Sequence, residues 1–182
     1  MSEKQNRYYK RTVEHIQRVQ KNMLYLITKH QEALELPDEQ CRECMWNVMK
    51  HDQSKFSVEQ FEPYVHLTEY YHQRKTLGNK EYKYPTEEIK KQVDAAVINH
   101  YAVENHHPER LKGKAEKMLW VELLEVVCDL QAMAQEFGEG SCRKYWEDVW
   151  LKKQMENFWD DWDWETSRVF MDKAIKCFEA NT

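Results

Sequence analysis

Glycine and proline are scarce in this chain, four of each in 182 residues. That argues against a sheet built from hairpins, which needs many tight turns. Period-two alternation is also rare, whereas apolar residues recur every three or four positions, so the class expected is all-α. No apolar run approaches the roughly 20 residues a membrane span needs. The opening stretch, MSEKQNRYYKR, lacks the hydrophobic centre of a secretory signal. A basic excess is absent as well. The formal net charge of −5 gives no general drive toward nucleic acid or an anionic membrane. Five cysteines in a chain of this size do not form a disulfide framework. Cys41 and Cys44 make a single C-x-x-C inside a helical pattern, read as two buried thiols rather than a redox or zinc pair. A reduced cytoplasmic setting is the resulting expectation.

The length fits one domain, residues 1–182, with a real core. A first helix is expected from about Gln5 to about Ala33, with Thr12, Ile16, Val19, Met23, Leu26 and Ile27 as its apolar stripe. His15 borders that stripe. Leu36-Pro37-Asp38 breaks the pattern, and Pro37 suits the opening of a second helix. That helix turns Cys41, Cys44, Met45, Val48 and Met49 inward and ends near His51-Asp52. Ser57 to Gln60 reads as a capping box before a third helix bearing Phe61, Tyr64, Val65, Leu67 and Tyr71. Pro63 is expected to kink that helix or delay its start. Thr76 to Pro85 has turn chemistry. Thr86 then caps a fourth helix carrying Ile89, Val93, Ala96, Val97 and His100, which should stop before Pro108. A fifth helix runs from Leu119 to Phe137 and closes on Gly138. Asp129 borders its stripe, with Glu125 one turn away as the competing ligand. The stretch from about Cys142 to 180 holds Trp146, Trp150, Trp159, Trp162 and Trp164, five of the seven tryptophans. Such a segment reads as core or as the face of a homodimer.

The chemistry concentrates in histidines and acids. His51 and Asp52 are neighbours at a helix end, with Lys55 three residues on. His15 lies upstream, and His100, His106, His107 and Asp129 lie downstream. Imidazole and carboxylate donors in this mixture suit divalent transition metals such as Fe, Mn, Co, Ni or Zn. Taken alone, each of these residues reads as an ordinary core or surface group. Jointly they let separate helices assemble one metal site from His15, His51, Asp52 and Asp129. His100 with His106 or His107 offers imidazoles for a second ion. His30, His66 and His72 read as bland.

The order His15, His51-Asp52, Asp129 resembles the HD-domain superfamily of metal-dependent phosphohydrolases, over a core of about residues 5–138. The resemblance implies a helical bundle of six or seven helices. The run His51-Asp52-Gln53-Ser54-Lys55 is similar to the H-D-x-x-K form of HD-GYP phosphodiesterases and of the di-iron inositol oxygenase branch. There the lysine contacts a substrate phosphate or hydroxyl, and two further histidines bind a second metal. By position, Lys55 takes the first role, and His100 with His106 or His107 the second. Ser54 stands where glycine is usual. No Gly-Tyr-Pro follows His106-His107-Pro108-Glu109, so cyclic dinucleotide specificity is not implied. The stretches HDQSKF, N-x-H-H-P-E and D-x-x-A-M also resemble an uncharacterised HD-like family of bacteria and phages.

Three functions follow as expectations. The first is a metal-dependent phosphohydrolase acting on a nucleotide or small phosphate ester. His106 or His107 would serve as general acid, and Lys55 with the basic run Arg110, Lys112, Lys114 and Lys117 would attract phosphate. The run reads equally as a solvated face. The second is an HD-type di-iron oxygenase. The third is a non-catalytic helical module tied by metal.

Overall fold

The structure is a computed structural model that describes residues 1–111, 117–153 and 164–180. It is all-helical. Seven α-helices are delimited among the described residues, and no strand is present among them. They are α1 (Glu3–Lys29), α2 (Asp38–Val48), α3 (Phe61–Tyr71), α4 (Glu87–Val103), α5 (Trp120–Glu136), α6 (Arg143–Tyr145) and α7 (Trp164–Glu179). Shorter turns of tighter or wider helix lie at Gln53–Phe56, His72–Thr76, Pro108–Leu111 and Trp146–Trp150. None of the described helices is long and apolar enough to cross a membrane.

The chain forms two compact units, each assembled from separated stretches: Met1–Glu14 with Asp52–Glu104, and His15–His51 with Asn105–Thr182. In the first unit α3 packs on α4. Tyr8, Tyr64, Val65 and Ala96 form its core, with Phe61, Leu67 and Val97 against them. Tyr8 is buried, meets Phe61 edge-on, and donates its hydroxyl to the Lys55 carbonyl at 2.6 Å. That bond pins the turn following Asp52. Thr86 caps α4 by accepting from the Ile89 N–H at 3.1 Å. Ser57 accepts from the Gln60 N–H at 3.3 Å before α3 begins. α3 starts at Phe61, three residues past the Val58 start that a Ser57 cap implies, so the delayed start expected with Pro63 is what forms. Pro63 is the third residue of the helix, inside the first turn, where no intrahelical N–H bond is made and proline loses nothing.

In the second unit α5 is the centre, with α2 and α7 packed on it. Twelve of its residues are buried, on every face of the helix, as befits a helix surrounded by protein. Its core neighbours include Val19, Met23, Leu26, Cys44, Val48, Trp146, Met171 and Ile175. Cys44 is buried and burial pushes its thiol up to about 12, while Cys41 is half-buried. Trp146 and Trp150 stack at 4.8 Å between centroids and belong to this core. Trp159 and Trp162 lie outside the described residues, and Trp164 opens α7.

Helix ends have identifiable causes. α1 stops at Lys29, short of the expected Ala33, and the chain then turns with Glu35 in the left-handed region at φ 57°. The N–H of Leu119 donates to the Glu122 carboxylate at 2.8 Å, which opens α5. Gly138 closes it at φ 77°, and the Glu139 N–H returns to the Ala134 carbonyl at 2.9 Å. Arg143 then ties α6 to α7. Its Nε and Nη2 donate to the two Glu179 oxygens at 3.0 and 2.9 Å, and Nη1 donates to Asp172.

Two predictions follow from these ties. Gly138→Ala should lower stability by about 1 kcal/mol, because an L side chain is strained at that φ. Urea denaturation checks it, and no change would mean the turn relaxes. Arg143→Met should cost about 1 kcal/mol at neutral pH, since a forked pair exceeds an ordinary surface pair but remains partly solvated. The bond from Arg143 holds the Glu179 carboxyl below its usual range. Burial alone would raise Asp172, but Lys176 and Arg143 hold it low as well. Lowered carboxyls stabilise the fold above about pH 4 and lose that contribution as pH falls through their folded values. The gap between Arg143→Met and the parent protein should therefore narrow in acid and in high salt, read from urea midpoints at each condition.

Candidate metal centre

His15 lies on the buried face of α1, one turn before Val19. His51 follows the end of α2, where its N–H still reaches the Val48 carbonyl at 3.3 Å. Asp129 projects from α5. These three side chains meet in the second unit. The Nε2 atoms of His15 and His51 are 3.4 Å apart. Asp129 Oδ1 lies 2.9 Å from His15 Nε2 and 3.9 Å from His51 Nε2. Donors about 2.1 Å from a common ion, at angles of about 90–110°, stand about 3.0–3.4 Å apart. The observed triangle brackets that spacing, so the three atoms fit one transition-metal ion. His51 has no side-chain exposure and His15 has 8%, whereas Asp129 retains 22%, which makes Asp129 the solvent-facing corner.

Behind the triangle sits Glu125, one turn before Asp129 on α5 and buried. Its Oε1 is 2.9 Å from His51 Nδ1 and 3.4 Å from His106 Nδ1. The His51 ring lies 4.2 Å from that of His106, which in turn lies 4.2 Å from that of His107. His107 Nδ1 is 3.7 Å from Glu109, and Glu109 accepts from Lys153 at 3.0 Å. Electrostatics follow the same layout. Burial would raise the Glu125 carboxyl, but the bonds to His106 and His51 outweigh it and bring it to about 2. Burial would likewise raise Asp129; the bond from His15 and the charges of His51 and His106 hold it far below the carboxylate range. Burial lowers His107 despite Glu109 beside it.

In the first unit Asp52, Lys55 and His100 form a cluster. Asp52 Oδ1 is 3.2 Å from His100 Nε2, and Oδ2 is 2.6 Å from Lys55 Nζ. Ser54 Oγ is 3.0 Å from His100 Nδ1, and the Lys55 ammonium lies over the Tyr64 ring. Asp52 holds its position at φ 60°, a left-handed conformation uncommon outside glycine. That strain of roughly 1 kcal/mol turns the carboxylate back onto Lys55 and His100.

Of the sequence candidates, the second unit brings His15, His51, Asp129 and His106 together, with His107 beside His106. The first unit brings together Asp52, Lys55 and His100. Within the basic run, Arg110 Nη2 donates to both Glu122 oxygens at 2.8 and 2.7 Å, and Lys112 and Lys114 lie outside the described residues. His30 bonds the Tyr25 hydroxyl at 2.9 Å, which accounts for it structurally. Sequence reasoning took Glu125 for a competing ligand and missed its bonds to two imidazoles. It also missed Ser54 and Glu109 as partners of His100 and His107.

No curated protein and no solved structure matches this chain. A family model does, over residues 4–178, and its description is a family of unknown function, DUF5662. With nearly the whole length matched, the chain belongs to the DUF5662 family.

Proposed function

We propose that this protein is a metal-dependent phosphohydrolase acting on a nucleotide or small phosphate ester. The observation that carries the reading is the triangle of His15 Nε2, His51 Nε2 and Asp129 Oδ1, with edges of 2.9, 3.4 and 3.9 Å. Two imidazoles and one carboxylate suit a divalent transition ion. The order of these residues, which resembles the HD superfamily, gives hydrolysis precedence.

The ion, when bound, would polarise a phosphoryl oxygen and acidify a water. The chain's own residues do the rest. With the ion bound, His15 and His51 would offer it their Nε2 atoms. Asp129 supplies the negative charge and lies at the side open to solvent. Glu125 holds His51 and His106 by their Nδ1 atoms. His106 and His107 are the candidates for proton delivery to the leaving oxygen. Lys55 keeps the role that H-D-x-x-K implies, a positioned charge for phosphate; its ammonium is paired with Asp52 in this structure.

A second reading rests on the same donors. Two histidines and one carboxylate with open positions also describe non-haem iron oxygenases.

Elemental analysis of protein purified without added metal, followed by a phosphatase screen over nucleotides and simple phosphate esters, tests both. About one Mn, Co, Ni, Fe or Zn per chain with phosphate release is the expected result. Iron with oxygen uptake and no phosphate release would replace hydrolysis by the oxygenase reading. Asp129→Asn and His15→Ala should each reduce metal occupancy at least tenfold. Lys55→Ala should keep the metal and lose most turnover. A parent protein that takes up no divalent ion from a Co²⁺ or Mn²⁺ titration would overturn the proposal.

A further inference from the structure

We infer that Glu125 is a positioning residue that orients the metal-facing imidazole of His51, and His106 with it, and that it is not itself a ligand. This rests on the metal-site reading given above. The argument comes from the two nitrogens of one ring. His51 addresses two carboxylates of the same helix from opposite edges. Its Nδ1 meets Glu125 Oε1 at 2.9 Å, while its Nε2 faces Asp129 Oδ1 at 3.9 Å and His15 Nε2 at 3.4 Å. A carboxylate that accepts from Nδ1–H leaves the lone pair on Nε2, fixes the ring plane and raises ligand basicity. Glu125 is therefore on the back of the ring, and Asp129 on its metal side.

The same oxygen lies 3.4 Å from His106 Nδ1, so one buried carboxylate lies against two imidazoles whose rings are 4.2 Å apart. The spacing on α5 explains the division of labour. Positions 125 and 129 lie one turn apart on one face, so one helix supplies both the ligand and the group that aims its neighbour. A glutamate suits the more deeply buried position, where its side chain is 4% exposed, against 22% for Asp129.

The test is a Co²⁺ titration of the full chain, followed by the visible absorption of the bound ion, for the parent, Glu125→Gln, Glu125→Ala and Asp129→Asn. Thermal melting of each metal-free protein checks the fold. Glu125→Gln should bind Co²⁺ about 10–100-fold more weakly, the usual loss for such an orienting partner. Its band should keep the parent's shape, because the ligand set is unchanged. Glu125→Ala should lose at least as much affinity, and Asp129→Asn should lose the parent band. In the metal-free parent at pH 8, long-range ¹H–¹⁵N spectra should show His51 as the Nδ1–H tautomer. A Glu125→Gln protein with parental affinity overturns the inference while leaving the metal site standing. A Glu125→Gln protein that loses the parent band as Asp129→Asn does also overturns it, because Glu125 would then be a ligand. Absence of Co²⁺ binding by the parent is the separate signature of failure of the metal-site reading itself.

Discussion

Two carboxylates on a buried helix set the terms for the second unit. α5 is covered on all sides, yet it carries Glu125 and Asp129 among Leu123, Leu124, Val126, Val127 and Cys128. Taking a carboxylate out of water costs several kcal/mol unless partners replace the lost hydration. Here the partners are imidazoles: His15 for Asp129, and His51 and His106 for Glu125. Those histidines must then arrive from three separate places in the chain. α1 must put His15 against α5, the end of α2 must deliver His51, and the segment after Glu104 must return His106. The apolar stripes of α1 and α2 bury against α5 partly to meet that demand. The Asn22 side chain, which donates to the Cys128 carbonyl at 3.1 Å, holds α1 in register beside the site.

The first unit solves a related problem with backbone strain. Asp52 adopts φ 60°, which an aspartate tolerates better than most residues. The strain is offset by a fork of contacts, one oxygen toward Lys55 and the other toward His100. Ser54 then touches His100, and its own N–H donates to the Glu104 carboxylate at 3.2 Å. A short turn thus organises four polar side chains without a long loop. Tyr8 fixes that turn from α1 through the Lys55 carbonyl. Strain of this kind persists where the surroundings over-determine it.

Much of this was legible in the chain itself. Scarce glycine and proline with three-to-four periodicity point to helices, and helices are what form. Thr86 and Gly138 mark their termini as capping chemistry requires. His15 and Asp129 were legible because each borders an apolar stripe, so packing the stripes also packs the polar edge, and His51 was legible at a helix end beside Asp52. Glu125 was visible as a neighbour of Asp129, but its role was not, since period alone cannot say which edge of an imidazole a carboxylate will meet. The left-handed turn at Asp52 left no signal beyond a residue type that permits it. The pairing of Lys55 with Asp52 follows from that turn, so it was hidden for the same reason.

Packing alone would not have chosen these residues. Replacing a buried ion pair by apolar side chains of similar volume is often neutral or stabilising by about 1–4 kcal/mol. Leucine or methionine at positions 125 and 129, with apolar partners at 15 and 51, would serve the core of α5 as well or better. The structure instead keeps two acids and three imidazoles there, and arranges them so that every bond on the Glu125 side leaves His51 Nε2 facing Asp129 and His15. The three donor atoms lie within 3.9 Å of one another, and Asp129 keeps 22% of its side chain exposed. On the proposed metal-site reading, function would offset that cost in stability, and it would do so equally for hydrolysis and for oxygenation, because both would use the same triangle backed by Glu125.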